Sequence, residues 1–311
     1  MSATDNVLES VSCNLCGADD ATVVFPSTRT SAVVHLDEFR SSGDEALEDP
    51  MVRCRRCGLE YVSPRLSPSL VLSGYANSVD ETFVSQARGR EITFARCLQT
   101  INRYWKQPPG SVLDVGTANG SFLKVARDAG WTVSGCEPNK WLGQWCRDHY
   151  GIPVTTGTIF DGHYPDASFD VVTLWDVLEH TPDPTAVLEE CRRILKPNGL
   201  VFVNYPDIGA WISRAMGRKW VFLLSVHYYY FTPITIRKML AKTGFRVEAL
   251  KPHFQTLECD YILFRASAYV GGLGRALRSA ARIVGLGKTQ VPYWVGQSLA
   301  IARKEHSGTK R

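Results

Sequence analysis

The feature that most constrains this chain is a buried strand that leads through a glycine-rich turn directly into a helix, over residues 111–126. The strand is apolar up to Val115, and apolar residues at helical spacing begin again at Phe122. Small residues in such a turn let a ligand lie against the backbone, and the free N–H groups at the start of the helix face that ligand. The pattern predicts an α/β fold that binds a nucleotide-like cofactor at this turn.

The spacing of the turn distinguishes it from a dinucleotide site, which has the pattern G-x-G-x-x-G. The turn contains Asp114, Gly116, Ala118 and Gly120 at alternate positions, so a carboxylate lies beside the ligand. A carboxylate repels a pyrophosphate and attracts a cation. The next strand ends in Glu137, which is placed to accept both hydroxyls of a ribose. We therefore expect S-adenosylmethionine (SAM), which carries an adenosine, an ammonium and a sulfonium but no phosphate.

Four segments along the chain resemble, in order, the motifs of the class I SAM-dependent methyltransferases. They span roughly the middle third of the chain. The resemblance implies a Rossmann-like α/β fold, in which a seven-stranded sheet has helices on both faces and its last strand is antiparallel. The segments are L-D-V-G-T-A-N-G-S-F (113–122), G-C-E-P-N (135–139), F-D-V-V-T-L-W-D-V-L-E-H-T-P-D-P (169–184) and L-K-P-N-G-L-V-F-V (195–203).

The resemblance also implies which residues bind the cofactor. The turn residues named above surround the methionine part of SAM, with the Asp114 carboxylate meeting the ammonium directly or through water. Ile159 offers an apolar face to the adenine, and Asp161 offers an acid to its exocyclic amine. Trp175 and Asp176 end the fourth strand of the sheet beneath the cofactor. Trp175 is either a contact of the sulfonium or a core aromatic residue.

Two histidines are candidate catalytic bases, because transfer of a methyl group to a hydroxyl benefits from a base. His180 follows the fourth strand, at the edge where such sheets bind ligands. His227 follows the fifth strand, at the end of an aromatic segment within 205–235 that we interpret as a lid or acceptor pocket. The alternatives are that His180 makes a hydrogen bond at the entry of a helix, that His227 is structural, and that the aromatic side chains only pack.

Four cysteines near the N-terminus form two C-x-x-C-G turns. Four thiolates presented in this way predict a closed, structural zinc site. Two redox dithiols and a disulfide pair are the alternatives, but neither explains the glycine that follows each second cysteine. The predicted zinc ligands are Cys13, Cys16, Cys54 and Cys57; the other five cysteines, expected to be core thiols, are Cys97, Cys136, Cys146, Cys191 and Cys259.

These patterns divide the chain into a zinc-ribbon module (1–66), a helical linker or cap (67–108) and a methyltransferase domain (109–311). Within the last, residues 259–290 form a helical insertion, and 261–286 have a basic amphipathic pattern. Such a helix covers its own protein, a second copy in a homodimer, or a membrane surface. The first residues lack the apolar core of a signal peptide, so we expect a cytoplasmic protein, peripheral at the inner membrane if the last alternative holds.

A zinc ribbon followed by this SAM domain resembles the zinc-binding sugar methyltransferases. We therefore expect a small-molecule or glycan acceptor in polysaccharide biosynthesis, either a saccharide or a lipid-linked sugar. The sugar C-methyltransferases of this type carry a further C-terminal domain, and this chain stops too early for one. We therefore expect O-methylation rather than C-methylation. The alternatives are a non-catalytic scaffold and an RNA methyltransferase that grips RNA with its ribbon. A net charge of only +4 and an acidic stretch at 37–49 argue against an RNA acceptor. The arginines near the second cysteine turn argue for it; they are Arg53, Arg55, Arg56 and Arg65.

Overall fold

The N-terminal module is a four-stranded antiparallel sheet built around the two cysteine turns. The structure is a computed structural model that describes residues 7–30, 39–43 and 45–305, without the side chains of 268–270. A three-helix segment follows the module and leads into the main sheet. The elements up to residue 105 are β1 (Leu8–Glu9), β2 (Ala21–Phe25), β3 (Met51–Cys54), β4 (Glu60–Val62), β5 (Arg65–Leu66), α1 (Pro68–Asn77), α2 (Glu81–Ser85) and α3 (Ala87–Trp105).

The rest of the chain alternates strands and helices, as the sequence predicts. Asp183 caps one helix by accepting from the Ala186 N–H, and Pro184 occupies the first turn of that helix. The elements are β6 (Ser111–Val115), α4 (Ser121–Asp128), β7 (Thr132–Glu137), α5 (Lys140–Tyr150), β8 (Thr155–Thr156), β9 (Phe169–Trp175), α6 (Pro184–Ile194), β10 (Leu195–Pro206), α7 (Trp211–Met216), β11 (Tyr229–Tyr230), α8 (Pro233–Lys242), β12 (Phe245–Pro252), β13 (Gln255–Glu258), α9 (Cys259–Val270), α10 (Gly272–Ile283), β14 (Gln290–Tyr293) and β15 (Gln297–Lys304).

Seven of these strands form one sheet, in the order β12-β15-β10-β9-β6-β7-β8. The pairs β6–β7, β6–β9, β9–β10 and β7–β8 are parallel, and β15 is antiparallel to both of its neighbours. The central strands are buried on both faces, which explains their nearly continuous apolar sequence. This topology confirms the predicted seven-stranded α/β fold with an antiparallel last strand. The carboxyl ends of β6, β7 and β9 meet at one edge, where the candidate site lies.

The segment predicted to be an aromatic lid is instead joined to the N-terminal module. β11 pairs with β4, so the module's sheet has the order β11-β4-β3-β2 and takes its fourth strand from residues 229–230. Tyr228, Tyr229, Tyr230 and Phe231 are all buried, and only Trp211 among the large aromatic residues of 205–235 is strongly exposed. The side chains of 228–231 therefore form part of the core between the two modules.

The acidic stretch 37–49 is partly buried where the structure describes it. Residues 37, 38 and 44 lie outside the described residues. Phe39 and Leu47 are buried, and Asp49 is buried in an ion pair with Arg29 at 2.7 Å. Of the five cysteines expected in the core, Cys259 alone is only half-buried.

Two helices between residues 259 and 283 form a helical hairpin. α9 and α10 are separated by Gly271, whose φ of 57° lies in the left-handed region, and the hairpin is framed by the paired strands β13 and β14. None of the helices in the described part of the chain is long and apolar enough to cross a membrane.

Candidate cofactor and catalytic site

The turn after β6 has the backbone shape that the sequence predicts for a ligand cradle. Gly116, Ala118 and Gly120 all have positive φ, and Gly116 N–H and Thr117 N–H donate to the Cys136 carbonyl at 2.9 and 3.1 Å. A Cβ at residue 120 would lie 2.1 Å from the Cys146 Sγ atom, so only glycine fits there. The turn is thus fixed against β7 and α5 before any ligand binds.

The Asp114 carboxylate lies under this turn rather than on its surface. It is 1% exposed, and its two oxygens accept from the hydroxyls of Thr117 at 2.9 Å and Thr173 at 2.6 Å. Burial raises its pKa to about 7, against the opposing effect of the two hydroxyls. Asp114 therefore holds the turn in place through Thr117 and supplies a buried negative charge below it.

Glu137 connects the turn to the neighbouring helices. One carboxylate oxygen accepts from Ala118 N–H and the other from Asn139 N–H, both at 2.7 Å. Burial raises its pKa to about 7, while these two N–H groups and the Tyr75 hydroxyl act to lower it. The Asn139 side chain donates to the Tyr75 and Ser78 carbonyls at 2.6 and 3.0 Å, which brings the end of α1 over this carboxylate. Tyr75 was not identified from the sequence.

The predicted adenine residues lie beyond the end of β8. Ile159 is 1% exposed and belongs to the apolar core. Asp161 is exposed and accepts from both the N–H and the hydroxyl of Thr158 at 2.7 Å, which lowers its pKa. The side chain of Asp161 therefore closes the turn 158–161, and these hydrogen bonds orient it independently of any ligand.

Trp175 is part of an aromatic cluster in the core. Its ring lies 5.5 Å from Phe94 and 5.4 Å from Phe122, and it stacks on His253 at 5.9 Å. Its indole N–H is buried without a hydrogen-bond partner in the described structure. The packing favours the core alternative for Trp175.

Asp176 is the centre of a cluster of side-chain amides. Its carboxylate accepts from Asn204 at 2.6 Å, Gln297 at 2.8 Å and Gln255 at 2.9 Å. The amide oxygens of Asn204 and Gln297 are buried and lack partners among the described residues. Burial raises the Asp176 pKa to about 6. The amides around Asp176 could not be predicted from the sequence, because they lie far from it along the chain.

His180 and His227 are brought together, with their rings 4.5 Å apart. Their Nδ1 atoms lie 3.1 Å from the Val226 carbonyl and 2.8 Å from the Phe222 carbonyl. Since a carbonyl only accepts, Nδ1 carries the proton in both rings and each Nε2 keeps a free lone pair. Burial lowers the His180 pKa to about 4 and the His227 pKa well below its usual value, so both rings are neutral.

Glu179, which was not identified from the sequence, completes this group. Both of its carboxylate oxygens are buried without a hydrogen-bond partner in the described structure, and burial with the nearby charge of Asp176 raises its pKa well above the usual range. One ligand atom from each of Glu179, His180 and His227 lies within 4.8 Å of the others. The group can exchange a proton, and its donor atoms are also suited to a cation.

The four N-terminal cysteines converge as the sequence predicts. The Sγ atoms of all four lie within 4.8 Å of one another; Cys13 lies 3.4 Å from Cys57, and Cys16 lies 3.5 Å from Cys54. These distances are too long for disulfide bonds. Burial raises the Cys54 pKa, but the N–H groups of Cys57 and Arg56 outweigh it and lower the value to about 7. Four converging thiols, one of them readily ionised, fit a tetrahedral zinc ion.

A cavity of about 310 Å³ lies at the base of the helical hairpin. The segment from Tyr75 to Gln86 connects Glu137 to this cavity, because Tyr75 contacts the carboxylate and Gln86 lines the cavity wall. The lining combines hydroxyls, an amide, two carboxylates, an arginine and two aromatic rings. The residues that line it are Thr82, Ser85, Gln86, Glu258, Asp260, Tyr261, Phe264 and Arg278.

Comparison with known proteins identifies similar sequences. A family model described as a methyltransferase domain matches residues 89–250, just over half of the chain. The ubiquinone biosynthesis O-methyltransferase of Thiobacillus denitrificans is 30% identical over 152 residues, which are 45% of this chain and 66% of that protein. The C-methyltransferase NovU of Streptomyces niveus is 25% identical over 248 residues, 76% of this chain and 56% of that protein.

The chain spans between half and two thirds of the length of these two curated relatives. Among solved structures, a SAM-dependent methyltransferase from Archaeoglobus fulgidus aligns with a TM-score of 0.48 and 21% identity, over 69% of this chain and 94% of that one.

The raised carboxyl pKa values predict a pH-dependent stability. Asp114 and Glu137 titrate near 4 when unfolded and near 7 in the fold, so between pH 4 and 7 the native state binds more protons than the unfolded state. Both groups therefore favour folding at low pH and destabilise the protein as pH rises through 7. Relative to the unsubstituted protein, the Asp114→Asn/Glu137→Gln variant should become more stable as the pH is raised from 5 to 8. We expect a relative gain of a few kcal/mol in the free energy of unfolding.

Urea unfolding of both proteins at pH 5, 6, 7 and 8 measures this difference, and Asp161→Asn, at an exposed carboxylate, is the control. A difference that stays constant over this range would contradict the assignment.

Proposed function

The chain belongs to the methyltransferase domain family, and from that premise we propose that it transfers the methyl group of SAM to a small-molecule or glycan acceptor. The observation that carries the proposal is the direct hydrogen bond between the turn and the acid of the next strand, from Ala118 N–H to Glu137. This bond supports the proposal because it holds the carboxylate that we assign to the ribose beside a turn with the Asp114 carboxylate below it. SAM has a ribose and two cationic groups in one molecule.

We propose that the turn residues Asp114, Gly116, Ala118 and Gly120 hold the methionine part of SAM. Asp114 supplies charge from below the turn, because its oxygens already accept from two threonines. Asn119 adds a polar group, since its side-chain N–H₂ is buried at 1% exposure without a partner in the described structure. An unsatisfied buried donor is costly, and an acceptor atom on a bound ligand would satisfy it.

Glu137 would accept the ribose hydroxyls, with Ile159 and Asp161 near the adenine. The cluster around Asp176 adds two unpartnered acceptors, the amide oxygens of Asn204 and Gln297, which suit the ammonium of SAM or a hydroxyl of the acceptor. Bound SAM supplies an electrophilic methyl group on its sulfonium. The residues of this chain bind and orient that group and take up a proton.

We propose that His227 or His180 accepts the proton of an acceptor hydroxyl. Each ring has a free Nε2 lone pair fixed by the Nδ1 hydrogen bond to a carbonyl, and each is neutral at physiological pH. Glu179 lies beside them and, when ionised, would stabilise the imidazolium that forms. This arrangement supports O-methylation, in which the acceptor oxygen must lose a proton as it attacks the methyl carbon.

For the acceptor we propose a saccharide or a lipid-linked sugar of polysaccharide biosynthesis. The cavity beside Gln86 supports this class, since it offers carboxylates and an amide to hydroxyl groups and the rings of Tyr261 and Phe264 to an apolar sugar face. The relatives named as an O-methyltransferase of ubiquinone biosynthesis and as a C-methyltransferase are consistent with a small acceptor.

An RNA acceptor is the second candidate, and the arginines near the cysteine turns are its main support. Arg53 pairs with Glu60 at 2.6 Å, and Arg55 lies 3.6 Å from Asp20. Arg65 is 6% exposed and binds Glu9 and the Tyr229 hydroxyl. Three of the four arginines are therefore paired with acids, so a small acceptor is favoured.

We further propose that residues 1–66 form a zinc-ribbon module, followed by a cap (67–108) and the methyltransferase domain (109–311). The four cysteine thiols would hold the ion as a structural site, because none of the four positions is left for water or substrate. Since β11 of the larger domain completes the module's sheet, metal binding would also stabilise the segment that carries His227.

Titration with SAM is the first test of the proposed function. We expect micromolar binding of SAM. Glu137→Gln should reduce the affinity at least tenfold, because one carboxylate oxygen that would accept from a ribose hydroxyl is replaced by an N–H₂ donor. Isothermal titration calorimetry with SAM and S-adenosylhomocysteine measures both values, and Glu248→Gln, at a remote carboxylate, is the matched control. A folded protein that binds neither ligand would contradict the proposal.

Substitution of the histidines tests the base. We expect His227→Gln or His180→Gln to lower kcat about 10²- to 10⁴-fold with the Kd for SAM unchanged, since a base contributes in this range. Methyl transfer from labelled SAM to saccharide, lipid-linked saccharide and RNA acceptors measures kcat, and the exposed His149→Gln is the control. Unchanged kcat in both variants would exclude the pair, and transfer to RNA alone would favour the second candidate.

Metal analysis tests the zinc proposal. We expect one zinc ion per chain by elemental analysis, and loss of that ion with a lower melting temperature in Cys54→Ser/Cys57→Ser. Cys259→Ser, at a half-buried cysteine outside the cluster, should keep the metal. If intact-mass measurements found two disulfides in a metal-free and fully stable protein, the zinc proposal would be wrong.

A further inference from the structure

The helical hairpin formed by α9 and α10 presents its apolar side to solvent. Leu273 and Leu277 on α10 and Val284 directly after it recur at helical spacing on one stripe, and they are 64%, 49% and 65% exposed. Ile283 beside them is 84% exposed. Gly274 is the only residue of α10 that is buried in the described structure. The expected alternative, in which this helix covers its own protein, is therefore wrong for its apolar face.

The basic side of α10 is the side that faces the protein. Arg278 and Arg282 both make bidentate hydrogen bonds to Asp260 at the start of α9, at 2.5 to 2.9 Å. The Arg278 guanidinium also lies 4.8 Å from the ring centre of Phe264, whose side chain is 48% exposed. These ion pairs fix the rotation of α10 about its axis, and this rotation turns the leucine stripe outward.

The hairpin also carries a net positive charge. Residues 259–290 contain five cations and one acid, a net charge of +4, which equals the formal net charge of all 311 residues. Arg275 and Lys288 are exposed on the hairpin. No acidic residue occurs between 261 and 304. A partner for this surface must accept apolar side chains, and negative charge on that partner would strengthen the contact.

We propose that this hairpin docks on an anionic lipid bilayer. Exposed leucine and isoleucine side chains enter the boundary between headgroups and acyl chains, and the net positive charge of the hairpin attracts the anionic headgroups. A second copy of the chain fits less well, because a two-fold interface would place the same net positive charge on both sides. Because Glu258, Asp260, Tyr261, Phe264 and Arg278 of the hairpin region line the cavity described above, docking brings that cavity to the membrane surface.

The inference is tested by binding to vesicles, without reference to catalysis. The full chain is floated with vesicles of phosphatidylcholine alone and of phosphatidylcholine with 30% phosphatidylglycerol. We expect binding to the anionic vesicles, weakened by 0.5 M NaCl, and little binding to the neutral ones. Arg275→Glu/Lys288→Glu should reduce the preference for the anionic vesicles.

Substitution of the apolar stripe is the decisive arm. Leu273→Asp/Leu277→Asp should bind anionic vesicles at least tenfold more weakly, with an unchanged circular dichroism spectrum and melting temperature because both side chains are exposed. Ile234→Asp is the matched control, since Ile234 is an exposed residue on α8 with 65% exposure. Vesicle binding equal in both variants would overturn the proposal. A dimer in light scattering that the leucine variant dissociates, without any vesicle binding, would also overturn it, in favour of a second copy.

Because the experiment measures vesicle binding alone, its failure would leave the proposed methyl transfer untouched. Conversely, a protein that binds vesicles but not SAM would retain the docking surface and lose the proposed activity.

Discussion

The Glu137 carboxylate is the interaction on which the arrangement of the site depends. It accepts from the backbone of the turn after β6 and from the backbone at the start of α5, and it contacts the end of α1 through Tyr75. Three segments distant in sequence are thereby held at one carboxylate. Because the group is fully buried, its ionisation has an energetic cost, which hydrogen bonds from the neighbouring N–H groups partly offset. A ligand that brings hydroxyls to this carboxylate would offset more of it.

The second organising feature is the cluster of buried ionisable residues after β9. Asp176, Glu179, His180 and His227 lie within one small region, and burial shifts each of their pKa values toward the neutral form. Structural side chains usually avoid such burial unless hydrogen bonds satisfy them, and Glu179 has no partner in the described structure. Buried groups with shifted pKa values tend to occur at functional sites. In the proposed reaction these buried groups take up the proton of the acceptor, and their burial sets the pKa values at which they do so.

The sheet and most of its helices could be predicted from the sequence, because apolar runs, capping residues and the glycine-rich turn are local signals. Asp183 with Pro184 and the turn from Gly116 to Gly120 are examples. The two-residue strand β11 could not be predicted, since its pairing with β4 depends on a contact across the chain. The same reason applies to the amides around Asp176. The outward orientation of the leucines on α10 could not be predicted either, because an amphipathic pattern identifies two faces but not which one points to solvent. The hydrogen bonds from Arg278 and Arg282 to Asp260 determine this orientation.

The shared sheet of the N-terminal module has a consequence for how the polypeptide reaches its native state. Tyr61 on β4 pairs with Tyr229 on β11, and the two residues are 168 positions apart in the chain. During synthesis the N-terminal strands emerge first, yet the edge of β4 stays unpaired until β11 has been made. An exposed strand edge can pair with other chains, so this long wait is a risk of misassembly. An ion bound early at the four cysteines would hold β2, β3 and β4 together over that interval. The ion would then affect the order in which the protein folds as well as its final stability.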